Sequence, residues 1–84
     1  MKYGNTNYMK GEFAMYCNLL KVMKLKGITG IQISNLLECR QATISDKLNG
    51  LVVSGFTFDE ASKIKNVFFP EYDYDYLFAR EKVA

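Results

Sequence analysis

The chain has 84 residues, 49% of them apolar, with a net charge of +2 and no histidine. That length holds one small domain, and the apolar share is too high for a disordered chain. Two cysteines are too few for a disulfide framework, and without histidine there is no Cys/His zinc site, so neither a metal nor another cofactor is expected.

Residues 1–10, which include Gly4, Asn5, Thr6 and Asn7, read as a flexible lead-in to one helical domain over residues 11–84. They lack the apolar core of a signal peptide. A first helix is predicted from about Gly11 to Lys26. Met15, Leu19, Val22 and Met23 share one face at spacings of three and four, and Phe13, Tyr16 and Leu20 form a second stripe. Lys24 and Lys26 suit the carbonyl end, and Gly27 is a natural stop.

Thr29 opens a second helix, with Gln32 placed to complete a capping box. Ile33, Leu36 and Leu37 should face inward, with the end near Leu37 or Glu38. A third helix follows from about Gln41 to Asn49, with Ile44 and Leu48 inward and Gly50 ending it. Leu51 to Phe56 reads as a loop or short extended connection. Thr57 and Glu60 make a second capping box, which Phe56 can staple onto Ala61. The fourth helix should bury Ala61, Ile64, Val67 and Phe68 before Pro70 stops it. Asp73 can cap a last short helix carrying Tyr76, Leu77 and Phe78. The expected fold is all-α, a compact bundle of about five short helices.

Charge is unevenly distributed. Residues 21–50 hold five basic side chains against two acidic ones, and residues 55–84 hold four against six. A basic middle suits a polyanion. Inside it, residues 29–50 pair two short helices through a tight turn. Ser34 is small where the helices must cross. The second of the pair has a polar outer face of Gln41, Ala42, Thr43, Ser45, Asp46 and Lys47 over an inner Ile44 and Leu48. A recognition helix needs such a division, one side packing and the other offering hydrogen-bonding groups to base edges.

The segment resembles the helix-turn-helix of phage repressor and Cro proteins, the XRE family. The resemblance rests on Gly27-Ile28-Thr29, Ile33-Ser34, Leu36-Leu37, Thr43-Ile44-Ser45 and Leu48-Asn49-Gly50. It continues through Phe56-Thr57-Phe58-Asp59-Glu60-Ala61, Ile64, Phe68-Phe69-Pro70 and Tyr76-Leu77-Phe78, over roughly residues 18–80. It implies a lambda-repressor-like domain that binds double-stranded DNA sequence-specifically and regulates transcription for a phage or mobile element. On that likeness Gln41, Ala42 and Asp46 touch base edges, Thr29 and Gly30 approach a phosphate, and Asn49 bonds a phosphate beyond the helix. Arg40, Thr43, Ser45 and Lys47 complete the expected DNA-binding set. Such proteins bind two half-sites as dimers.

The sequence also departs from that pattern. Glu38 stands at the turn usually held by glycine, where a left-handed backbone would cost about 1–2 kcal/mol, so a reshaped turn is expected. Gly30 replaces a frequent glutamine, and Asp46 brings a negative charge towards DNA. Met23 and Leu48 occupy positions where relatives bury an arginine and a glutamate. Losing both together avoids an unpaired buried charge.

Other readings stand beside this one. Cys17 and Cys39 are expected to be small apolar residues of a reduced cytosol. Tyr72, Tyr74, Tyr76 and Phe78 alternate with Glu71, Asp73 and Asp75, which would repel phosphate, so they are assigned to capping and core closure. No nucleophile with its base and no phosphate loop is present, so an enzyme is not expected. No stretch is long or apolar enough to span a membrane, which makes the cytoplasm the expected location. The first helix, with Leu25 and with Ile31 just beyond it, carries more apolar surface than one small core needs. A second copy of the chain is the first candidate to cover it. The alternative function is a protein-interaction module, such as an antirepressor, on the same scaffold.

Overall fold

The computed structural model describes residues 14–82. The expected lead-in, the predicted helix start at Gly11 and the stripe residue Phe13 lie outside the described residues. The described chain is a compact, mostly helical small domain with five helices. These are α1 (Cys17–Lys26), α2 (Gly30–Leu37), α3 (Gln41–Leu48), α4 (Phe58–Phe68) and α5 (Tyr74–Leu77). A two-residue antiparallel pairing ties the ends together. Ala14 and Met15 of β1 (Ala14–Met15) lie opposite Lys82 and Glu81 of β2 (Glu81–Lys82).

Three of the helix boundaries have a local cause. Gly27 ends α1 in the left-handed region, and the Ile28 N–H returns to the Met23 carbonyl at 2.9 Å. Thr29 and Gln32 form the expected capping box, the Thr29 N–H donating to Gln32 Oε1 at 2.8 Å. Thr57 and Glu60 form the second, at 3.0 and 3.1 Å. Both boxes satisfy backbone donors that would otherwise lack partners. α2 packs on α3 and α4, while α5 packs on α1 and α4. Leu19, Ile33, Ile44, Ile64, Phe69 and Leu77 are completely buried between them.

Four expectations are corrected. α1 begins at Cys17, because Ala14 and Met15 pair with the C-terminal strand and the Tyr16 N–H donates to the Leu48 carbonyl at 3.2 Å. Helical backbone at Tyr16 could not reach across to the end of α3. Val67, expected inside, is 56% exposed, and Phe69 is buried in its place. The chain leaves the helix at Phe69, with φ at −135°, and that change of direction sends its ring into the core. Asp73 stands at the start of α5, but its side chain makes no capping bond. The all-α expectation omitted the pairing of β1 with β2, which two-residue segments leave no periodicity to reveal.

Tyr16 holds this junction together. Its ring is buried, 5.2 Å from the Phe56 ring and 6.0 Å from Phe78. Its hydroxyl accepts the Phe56 N–H at 2.9 Å. The Arg80 guanidinium stacks 4.8 Å above the ring and donates to the carbonyls of Ala14 (2.8 Å), Val53 (2.7 Å) and Val52 (3.2 Å). Two glycines make room. A Cβ on Gly55 would overlap the Tyr16 hydroxyl, and one on Gly50 would come within 2.8 Å of the Ala14 nitrogen. Both also have positive φ, at 65° and 80°.

Removing only the tyrosine hydroxyl isolates one hydrogen bond. Tyr16→Phe leaves the buried Phe56 N–H without its acceptor and should cost about 1–3 kcal/mol in chemical denaturation. An unchanged midpoint would show that this bond does not hold the loop.

Candidate functional site

The strongest candidate is the α2–α3 pair with its connecting turn. Ile33 of α2 and Ile44 of α3 are fully buried, and Ser34 is buried with its hydroxyl satisfied by the Ile31 carbonyl at 2.8 Å. A small side chain that keeps its own hydrogen bond lets the helices approach without an orphaned polar group. Gly30 lies over Ile44 at ordinary contact distance, 3.9 Å for an added Cβ, so space alone does not demand glycine there.

The turn is not reshaped. Glu38 sits squarely in the left-handed region, with φ 57° and ψ 47°. Its N–H donates to the Asn35 carbonyl at 3.4 Å, and the Cys39 N–H reaches Ser34 at 3.0 Å. The carbonyls at the end of α2 thereby gain donors, as they would with glycine. The burial of helices on both sides holds a glutamate in glycine's conformation.

α3 divides largely as its spacing predicts, but Thr43 and Lys47, expected on the outer face, are partly buried. Ile44 and Leu48 are buried, while Gln41, Ala42, Ser45, Asp46 and Asn49 are exposed. Gln41, Ser45 and Asn49 follow one another at four-residue steps along one face, with Ala42 and Asp46 beside them. Arg40, also exposed, precedes the helix in extended conformation, and no side chain caps the helix start. Thr29 is exposed at the start of α2 with its hydroxyl engaged in the capping box. Gly30 and Thr43 are partly buried. Asn49 turns its amide back onto the Ser45 carbonyl at 2.9 Å.

Lys47 is placed differently from its neighbours. Its ammonium donates to both oxygens of Glu60, at 2.9 and 3.2 Å, and lies 5.6 Å from the Phe56 ring centre. The two side chains are only 15% and 28% exposed. Lys26 is likewise held, by Glu71 and the Phe68 carbonyl, both at 2.7 Å. The uneven charge seen along the sequence is thus partly cancelled in space, since two basic residues of the middle section pair with acids from the C-terminal half.

Glu60 serves two partners at once. Burial opposes its charge and is the largest single influence. The Thr57 N–H, the Lys47 ammonium and the Thr57 hydroxyl together outweigh it, and the carboxyl titrates below its ordinary value of 4.5. Glu71 is also lowered, chiefly by its hydrogen bond from Lys26.

Tyr16, Glu60 and Arg80 were not among the residues singled out as a site, yet they hold the loop that follows α3. The Glu60 capping pattern was visible in the sequence, but its ion pair with Lys47 was not. Met23 and Leu48 are both in the core. Among the described residues, no group of three His, Cys, Asp or Glu side chains could hold a metal ion, and no helix is long and apolar enough to cross a membrane. Compared with protein-family models, curated proteins and solved structures, the chain has no match.

Two outcomes follow from this geometry. Glu38→Gly should relieve the left-handed side chain and stabilise the fold by about 1 kcal/mol in thermal or chemical denaturation; a loss of stability would mean the Glu38 side chain contributes more than its strain costs. Glu60 has a lowered folded pKa, so its contribution is fully present above the ordinary value of 4.5 and is lost as pH falls through the folded value. The stability of Lys47→Met should therefore fall less steeply on acidification than that of the wild type, and parallel pH profiles would contradict this.

Proposed function

We propose that this protein binds double-stranded DNA sequence-specifically through α3 and regulates transcription, as a lambda-repressor-like domain of the phage repressor and Cro kind. The observation that carries the reading is the division of α3. One edge is sealed into the core by Ile44 and Leu48, and the other presents Gln41, Ala42, Ser45, Asp46 and Asn49 to solvent. Such a helix can enter a major groove without unpacking, and its side chains are short enough to reach base edges.

Supporting roles follow from position. Gln41, on the first turn, can bond adenine through both ends of its amide. Asp46 can accept from a cytosine amino group. Arg40 and Thr29, each exposed just before a helix, are placed for phosphates, as are the amides that open α3. Gly30, Thr43 and Asn49 complete the proposed contact set. Two copies on adjacent half-sites would double the contact, and the setting would be the cytoplasm of a host carrying the phage or mobile element.

A second reading has its own observation. Leu25 is 72% exposed and Ile31 51%, and Asp46 adds an acid to α3. A protein partner, such as a repressor neutralised by an antirepressor, would use that apolar surface rather than α3.

Selection from a random duplex library separates the two. The DNA reading expects one enriched motif and an affinity that falls steeply with salt. No enrichment and a salt-insensitive protein contact would favour the second. Within the DNA reading, Gln41→Ala should cost about 1–3 kcal/mol at the selected site and less on random duplex. Equal losses on both would show that Gln41 reads no base.

A further inference from the structure

We infer that Glu60 is a specificity-determining residue, withholding the Lys47 ammonium from phosphates; this rests on the DNA reading of α3. Lys47 is the cation in the last turn of α3. Its ammonium is held by both Glu60 oxygens and lies near the Phe56 ring, with only 15% of its side chain exposed. Glu60 is fixed in turn, because Oε1 also accepts the Thr57 N–H at 3.0 Å in the capping box. The carboxylate cannot swing away without giving up its bond from the Thr57 N–H. Once Glu60 is counted, the charges of Arg40, Asp46, Lys47 and Glu60 cancel.

Neutrality has a consequence for discrimination. Phosphate contacts supply most non-specific affinity, whereas base-edge contacts supply the difference between sites. What matters among many competing sequences is the ratio of the two. A lysine kept off the phosphates lowers binding to every duplex and leaves the Gln41 and Asp46 edge contacts untouched. Glu60 thereby raises the ratio from a helix that never meets DNA.

The substitution Glu60→Gln tests this and preserves the fold, because glutamine also completes a capping box. It removes the charge that holds Lys47. Asp59→Asn is the control: it makes the same charge change one residue away, where no cation among the described residues pairs with the carboxylate. Affinity for random duplex is measured across about 50 to 200 mM salt. Over that range Glu60→Gln should lose about three- to fourfold more affinity than the wild type, the effect of one added phosphate contact. Its discrimination between selected and random duplex should fall. Asp59→Asn should keep the wild-type slope, and adding Lys47→Met to Glu60→Gln should restore it. Equal slopes for Glu60→Gln and Asp59→Asn, or a slope that Lys47→Met leaves steep, overturn the inference. If the wild type binds no duplex even at the lowest salt, the DNA reading itself falls. Retention on heparin, a polyanion of no sequence, then decides the masking. Later elution of Glu60→Gln than of Asp59→Asn supports it, and coincident elution overturns it.

Discussion

The fold depends on a single buried tyrosine at a point where three segments meet. Tyr16 donates its N–H to the end of α3, accepts the Phe56 N–H from the loop before α4 at its hydroxyl, and offers its ring face to Arg80. Without its hydroxyl, the Phe56 N–H in the loop that follows α3 would be buried without a partner or driven into water. Arg80 reinforces the same junction from the C-terminal side, its fork reaching three carbonyls in two segments. A planar guanidinium suits that task because its donors are already spread in fixed directions. Gly50 and Gly55 matter for the same reason, as side chains there would occupy the space that Ala14 and Tyr16 require.

This junction also sets the position of α3. The helix is held at its start by the left-handed turn at Glu38, along its inner edge by Ile44 and Leu48, and at its end by Tyr16 and Glu60. The restraints along and at the end of α3 involve buried or partly buried groups. The opposite side makes no contact that packs the core, and most of its residues are polar. A surface held from behind in this way is rigid without being sticky, which suits recognition by hydrogen bonds more than by apolar contact.

Electrostatics reinforces the arrangement. Lys26 and Lys47 each meet an acid contributed from beyond α3, so the domain's two halves are cross-linked by opposite charges. The Lys47–Glu60 pair is the more sheltered, and its partial burial limits screening by salt. The Lys26–Glu71 pair is half open to solvent on its acidic side and contributes correspondingly less.

Much of this was legible in the chain itself. Capping boxes at Thr29 and Thr57, the stop at Gly27 and the inward faces of α2 and α3 are local features, settled by residues three or four apart. The exposed set on α3 followed from the same periodicity. Beyond that range the sequence was silent or misleading. Tyr16 looked like part of a helical stripe, because periodicity cannot register a hydrogen bond to Leu48 far along the chain. Phe69 and Val67 exchanged places because a helix ended one residue before the pattern did. Glu38 adopted a conformation that local sterics oppose, since packing on both sides outweighs about 1–2 kcal/mol of strain. Lys47 read as a free cation until the fold brought Glu60 beside it. Local hydrogen bonds and spacing determine where helices begin, end and turn their apolar sides; which charges meet, and which backbone groups need a distant partner, is decided only when the chain closes on itself.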